Sequence, residues 1–131
     1  MRRAFDAVVE FHRAYGVPVP EEPCIPPAEI IDLREALIRE ELEEYLVAAR
    51  SGDIVETADA LADLAYVVIG SAVAHGLGRF DEIFAEVHRS NMSKLGADGK
   101  PIYREDGKVL KGPNFTPPSL AQFCQEGSDE P

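Results

Sequence analysis

From Arg2 to Tyr15 the apolar positions Phe5, Val8, Val9, His12 and Tyr15 recur at steps of three and four. This spacing places them on one side of a helix, and Gly16 follows where the helix would stop. Pro18, Pro20, Pro23, Pro26 and Pro27 then exclude regular helix and predict an extended loop. The next periodic segment runs from about Ala28 to Arg50, with Ser51-Gly52 as its stop. Asp53, with Glu56 three residues on, resembles a capping box at the start of a third helix that reaches about His75. Between Ala58 and Ala74 that helix is apolar on nearly every side, which predicts a central helix surrounded by others. A fourth helix, about Phe80 to Leu95, repeats Phe80, Ile83, Phe84, Val87 and Met92 before Gly96 closes it. Beyond it, Asp98-Gly99 and Asp106-Gly107 flank Ile102-Tyr103-Arg104 and Val109-Leu110, the pattern of a short hairpin or an ordered loop. The expected architecture is all-α: a four-helix bundle over residues 1–116 with a C-terminal loop or short hairpin extension, and a flexible tail over 117–131.

The 131 residues suit one domain, and 45% hydrophobic with 28% charged residues is an ordinary globular balance. No uninterrupted apolar run has the length of a membrane span, and the N-terminus lacks a signal-like stretch, so no membrane partner and a cytoplasmic location are expected. Cys24 and Cys124 lack a Cys-x-x-Cys spacing and read as free thiols. The net charge of −11 opposes binding to a nucleic-acid polymer, which Lys and Arg drive by displacing counterions. That charge is uneven: residues 89–112 carry a local excess of positive charge through Arg89, Lys94, Lys100, Arg104, Lys108 and Lys111.

Candidate chemistry lies on two helices. Glu41 and Glu44 are three apart and share a face that borders the apolar side of the second helix, while Glu43 points away. On the third helix Asp59 and Asp63 are four apart, with Glu56 and Tyr66 continuing their face. Carboxylates in such positions are expected to be buried, and several together need cations. Oxygen ligands on rigid helices suit Mg²⁺, with Mn²⁺ as substitute, and Mg²⁺ commonly completes its shell with water and phosphate oxygens. A polyphosphate is then the expected partner. Bland readings stand beside this one: a solvated acidic face for the glutamates, a capping role for Glu56, and arginine partners for Asp59 and Asp63. On the fourth helix Asn91 and Lys94 could cap or snorkel; alternatively an amide meets a sugar or base and an ammonium meets a phosphate.

At these residues the sequence resembles the all-alpha nucleoside triphosphate pyrophosphohydrolases, the superfamily of MazG, the dimeric dUTPases and phosphoribosyl-ATP pyrophosphohydrolase. Their signature is Glu-x-x-Glu followed by Glu-x-x-Asp. The first half matches Glu41-Leu42-Glu43-Glu44, beside Glu40, and the helix from Leu61 to Val68 resembles the one that carries the second. Phe84 to Lys94 looks like a block of MazG-like members, and Phe11-His12-Arg13-Ala14-Tyr15-Gly16 with its proline loop looks closest to the Deinococcus type of MazG-like dUTPase. One departure is plain: with Asp63 as the Asp of the second motif, its Glu position falls on Ala60, so Asp59 or Glu56 would have to substitute.

The resemblance implies Mg²⁺ held by Glu41, Glu44, Asp59 and Asp63, with Glu56 a further candidate, and Glu40 helping to deprotonate the attacking water. It implies cleavage of a nucleoside triphosphate to monophosphate and pyrophosphate, with dUTP or a related pyrimidine deoxynucleotide first. A broad house-cleaning activity comes second and phosphoribosyl-ATP hydrolysis third. Lys94, Lys108 and Lys111 would meet the outer phosphates, and Asn91, Tyr66 and Tyr103 the sugar or base. A rival from another class is a non-catalytic helical protein that binds an ion or a basic partner. A homodimer is expected, because the apolar third helix needs more cover than three short neighbours supply and because the resembled enzymes associate.

Overall fold

The computed structural model describes residues 2–125. It contains four α-helices, α1 (Arg2–Ala14), α2 (Ala28–Ser51), α3 (Ile54–Ala74) and α4 (Phe80–Met92), and a 3₁₀ turn over Ala121–Phe123. The class is all-α, as the periodicity predicts. No sheet forms among the described residues; the expected hairpin reduces to one isolated antiparallel bridge between Tyr103 and Val109. The chain forms two compact units, one ending at Phe80 and the other spanning Asp81–Cys124.

In the first unit α1 and α2 both pack on α3. Val8 of α1 meets Ile69 and Val73 of α3 in the core, with Phe5, Val9 and Val19 packed against them. Ala60, Ala72, Ala74 and Gly70 are buried on α3, where small side chains let neighbouring helices approach closely. By length and composition α3 would pass as a membrane span; in this chain it packs against both α1 and α2. The cover is incomplete: Leu61, Tyr66 and Val68 remain at least 40% exposed, so the expectation of a helix enclosed on every side is corrected within this chain.

Local chemistry explains the helix ends. Gly52 closes α2 in the left-handed region (φ 80°). Asp53 caps α3, its carboxylate accepting from the N–H groups of Val55 and Glu56 at 3.0 and 3.2 Å. The reciprocal half of a capping box does not form; the Asp53 N–H donates to the Ser51 hydroxyl instead. The proline loop is clamped to the end of α3, where the Cys24 N–H donates to the His75 carbonyl and His75 Nδ1 lies 3.0 Å from the Cys24 carbonyl. Gly76 (φ 67°) fits beneath that loop because a Cβ there would run into the Glu22 carbonyl.

In the second unit α4 ends at Met92, three residues before the predicted Leu95, because the Ser93 N–H divides between the Arg89 and Ser90 carbonyls. The following segment folds back onto α4. The Ser90 hydroxyl donates to the Thr116 carbonyl, the Thr116 N–H donates to the Ser93 hydroxyl, and Arg89 donates to both Thr116 and Pro117. Glu86 accepts from Arg89 and from the Ser119 N–H, and these bonds hold its carboxyl down at about 2. Residues 117–125, expected in the tail, therefore carry defined bonds; residues 126–131 lie outside the described residues.

Candidate active site

The periodicity that makes α2 and α3 amphipathic also turns one acidic stripe of each toward the other. Glu41 and Glu44 of α2 and Asp63 of α3 each present a carboxylate oxygen, and these oxygens lie within 4.8 Å of one another. Glu41 is partly buried, and its Oε2 is enclosed without a hydrogen-bond partner. Burial first, then a hydrogen bond with Glu44, then the charges of Glu44, Asp63 and Glu40, push the Glu41 carboxyl up to about 7. Among the described residues no Lys or Arg forms an ion pair with any of the three; Arg39, the nearest in sequence, pairs with Glu35 at 2.8 Å. Three close carboxylates with an orphaned oxygen and no protein cation match the donor chemistry of a hard divalent ion.

The other candidates are distributed differently. Glu44 also lines a cleft of about 580 Å³ between α2 and α3, whose walls include Glu43, Glu56, Asp59, Val47 and Ala60. Asp59 and Glu56 thus lie one and two turns from Asp63 along α3, on the same cleft as Glu44 but outside the three-oxygen group. The expectation that the acids of the third helix are buried is corrected for Glu56 and Asp59, which are exposed because the gap between α2 and α3 opens to solvent there; Glu40 and Glu44 are exposed as well. Ala60 is buried and has no ligand atom, so the Glu position of the second motif is vacant chemically. Tyr66 meets the Phe11 ring edge-on at 5.7 Å, inside an aromatic group with Tyr15.

Asn91, Lys94, Tyr103, Lys108 and Lys111 belong to the second unit. Asn91 is exposed near the end of α4, and the Lys94 carbonyl accepts from the Gly112 N–H. Tyr103 forms the bridge with Val109, the Lys108 carbonyl accepts from the Arg104 N–H, and the Lys111 ammonium sits 4.8 Å above the Phe115 ring.

The family model for phosphoribosyl-ATP pyrophosphohydrolase matches residues 8–91, well over half of the chain. The chain belongs to the phosphoribosyl-ATP pyrophosphohydrolase family. It is therefore a member of the all-alpha nucleoside triphosphate pyrophosphatase superfamily that its motifs resemble, and a pyrophosphohydrolase by family. No curated protein matches it. The matched span of this pyrophosphohydrolase contains every acidic candidate, from Glu40 to Asp63, and ends at Asn91. Lys94, Tyr103, Lys108 and Lys111 fall beyond it.

Sequence reasoning misses Arg34 of this pyrophosphohydrolase. It is only 8% exposed, and it donates from Nη2 to the Val67 carbonyl at 2.8 Å and from Nε to the Ser71 hydroxyl at 3.1 Å. His12 beside it is 3% exposed. Burial lowers the His12 pKa; the Pro18 carbonyl partly restores it and the Arg34 charge lowers it further. The available signal is Gly70 on α3, where a Cβ would collide with Arg34 Nη2: a glycine in a helix interior marks close approach of another group.

Proposed function

We propose that this pyrophosphohydrolase cleaves the bond between the α and β phosphates of a nucleoside triphosphate, with Mg²⁺ held by Glu41, Glu44 and Asp63 and Mn²⁺ able to replace it. The observation that carries the reading is the meeting of three carboxylate oxygens within 4.8 Å, one carboxylate with an enclosed and unpartnered oxygen, and no ion-paired Lys or Arg on them among the described residues. The bound ion supplies positive charge for phosphate oxygens and for the leaving pyrophosphate. Glu40 adjoins the group closely enough for its charge to act on Glu41, which suits it to accept the proton of the attacking water. Asp59, and after it Glu56, supplies the carboxylate that Ala60 lacks, from the wall of the cleft that Glu44 shares. Tyr66 of α3 faces sugar or base; the other expected substrate contacts, Asn91, Lys94, Tyr103, Lys108 and Lys111, belong to the second unit.

Family membership favours phosphoribosyl-ATP as substrate. The N-terminal resemblance favours dUTP. Pyrophosphate release from phosphoribosyl-ATP, dUTP and the common nucleoside triphosphates, with Mg²⁺, with Mn²⁺ and with EDTA, separates them. Turnover of none of these with either ion would refute the reading and favour a non-catalytic ion-binding protein. The active form is a homodimer, for which the support is the exposed apolar surface of α3: Ile54 and Val55 are more than 70% exposed, and Leu61 and Val68 more than 40%.

A further inference from the structure

Phe11, Tyr15 and Tyr66 form an exposed group of rings in the first unit. On α1 the buried residues are Val8 and His12, while Phe11 stands on the neighbouring stripe with Tyr15 four residues further on. The Tyr15 N–H donates to the Phe11 carbonyl at 3.0 Å and Gly16 (φ 72°) turns the chain away, so Tyr15 is held in the last turn. Its ring centroid lies 4.5 Å from that of Phe11, and the Phe11 ring meets Tyr66 at 5.7 Å with the two planes at 88°. This packing leaves much of each ring in water: Phe11 is 43% exposed, Tyr15 72% and Tyr66 40%. Large rings gathered together and left open mark a contact surface, whereas single exposed apolar residues need no explanation.

Their place along the helices ties these rings to the carboxylates. Val8 packs with Ile69 and Val73 while Phe11 meets Tyr66, so α1 runs antiparallel to α3, and the next turn of α1 brings Tyr15 level with Ala62 and Asp63. Tyr66 follows Asp63 by about 4.5 Å along α3 and about 60° around it. The rings thus begin one turn from the oxygens of Glu41, Glu44 and Asp63, and in a nucleotide a single sugar separates the base from the α phosphate. One turn in the opposite direction, the cleft of Glu43, Glu56 and Asp59 has no ring among its described lining residues and offers a base nothing to stack on. We infer that Phe11 and Tyr15 of α1 join Tyr66 as the stacking platform for the nucleobase of the substrate. The inference rests on reading the carboxylates as the phosphate end of the site. Base–aromatic stacking uses the π face that every base has and does not read hydrogen bonds at its edges. The platform therefore accepts both uracil and adenine and holds the larger purine more tightly, which favours phosphoribosyl-ATP over dUTP.

Ring-proton NMR on the full chain tests this without turnover. AMP, UMP and ribose 5-phosphate are titrated to millimolar concentration in EDTA and again with Mg²⁺. Both nucleotides are expected to shift the ring resonances of Phe11, Tyr15 and Tyr66, AMP at severalfold lower concentration, while ribose 5-phosphate leaves them in place. Tyr15→Ala removes an exposed ring with little risk to the fold and should weaken AMP binding about fivefold to a hundredfold. Tyr15→Phe should restore it, since stacking needs the ring and not the hydroxyl. Rings unmoved by both nucleotides, equal shifts with ribose 5-phosphate, tighter binding of UMP than of AMP, or full AMP affinity in Tyr15→Ala would each overturn the assignment. Full affinity in Tyr15→Ala together with a halved mass in light scattering would overturn it and give the face to a second copy of the chain. Failure of the carboxylate reading looks different: Mg²⁺ then leaves AMP affinity unchanged and no triphosphate is turned over, while the base-dependent ring shifts persist and the platform stands as a nucleobase site.

Discussion

Replacing Gly70 with alanine tests whether the Arg34 insertion holds the three-helix unit together. The added Cβ would overlap Arg34 Nη2 and lie 3.2 Å from its Cζ and 3.3 Å from His12 Nε2. The guanidinium must therefore move, and its bonds to the Val67 carbonyl and the Ser71 hydroxyl go with it. Each hydrogen bond from a charged donor contributes about 1.5–3 kcal/mol, while alanine in a helix interior gains about 1 kcal/mol over glycine. The net expectation is a loss of about 2–5 kcal/mol. For 131 residues, an unfolding entropy of about 2.1 cal/mol/K per residue makes each kcal/mol worth about 3–4 °C, so Tm should fall by about 7–18 °C. Thermal unfolding followed by circular dichroism reads this directly. In an Arg34→Met background the same substitution should be neutral or should raise Tm by about 3–4 °C, since only the helix preference remains. An unchanged or higher Tm for Gly70→Ala alone would show that Arg34 leaves without cost, and the argument would fail.

Asp63→Asn and Glu44→Gln should each abolish Mg²⁺-dependent pyrophosphate release while Tm in EDTA holds or rises, because one charge leaves a repelling group; near-wild-type turnover in either would remove the metal assignment. The pH dependence of the metal-free protein has two opposed parts. The Glu41 carboxyl is raised from 4.5 to about 7, so its contribution to stability is full below pH 4.5 and is lost as pH rises through 7, and Glu41→Gln should flatten that decline. The His12 imidazole is lowered, so its contribution is present above pH 6.5 and is lost on acidification, and His12→Asn should flatten that loss; a pH profile of Tm unmoved by either variant would contradict both. Neutralising Lys94 or Lys111 should weaken triphosphate binding more than monophosphate binding, and calorimetry showing equal losses would remove them from the outer phosphates. Light scattering at micromolar protein should give about twice 14.3 kDa, and a mass near 14.3 kDa would reject the dimer.

What the sequence discloses is what repeats along one element or closes within a few residues. The Asp53 cap reaches Val55 and Glu56, the Gly52 stop needs only its own φ, and Glu41 with Glu44 share a face by helical geometry alone. Adding Asp63 to them needs α3 to lie beside α2, and a short connection around Gly52 and Asp53 makes that antiparallel neighbour the simple choice. The same pairing rule explains how the acids divide. Running antiparallel, α3 brings Asp63 level with Glu41 and Glu44, so Asp59 falls one turn lower, beside Ala48 and the cleft, and a stripe of five acids becomes three close oxygens plus a flank. Periodicity counts positions along a helix and carries no information on its axial offset from the next. Arg34 was hidden for a related reason. By its own neighbours Asp32 and Glu35 it reads as a surface cation, and what buries it stands 33 to 37 residues away: the Val67 carbonyl, the Ser71 hydroxyl and the space left by Gly70. A charged residue moves inside only when a distant backbone makes room and offers acceptors together, and on the sequence the trace of that is a lone glycine in an apolar helix.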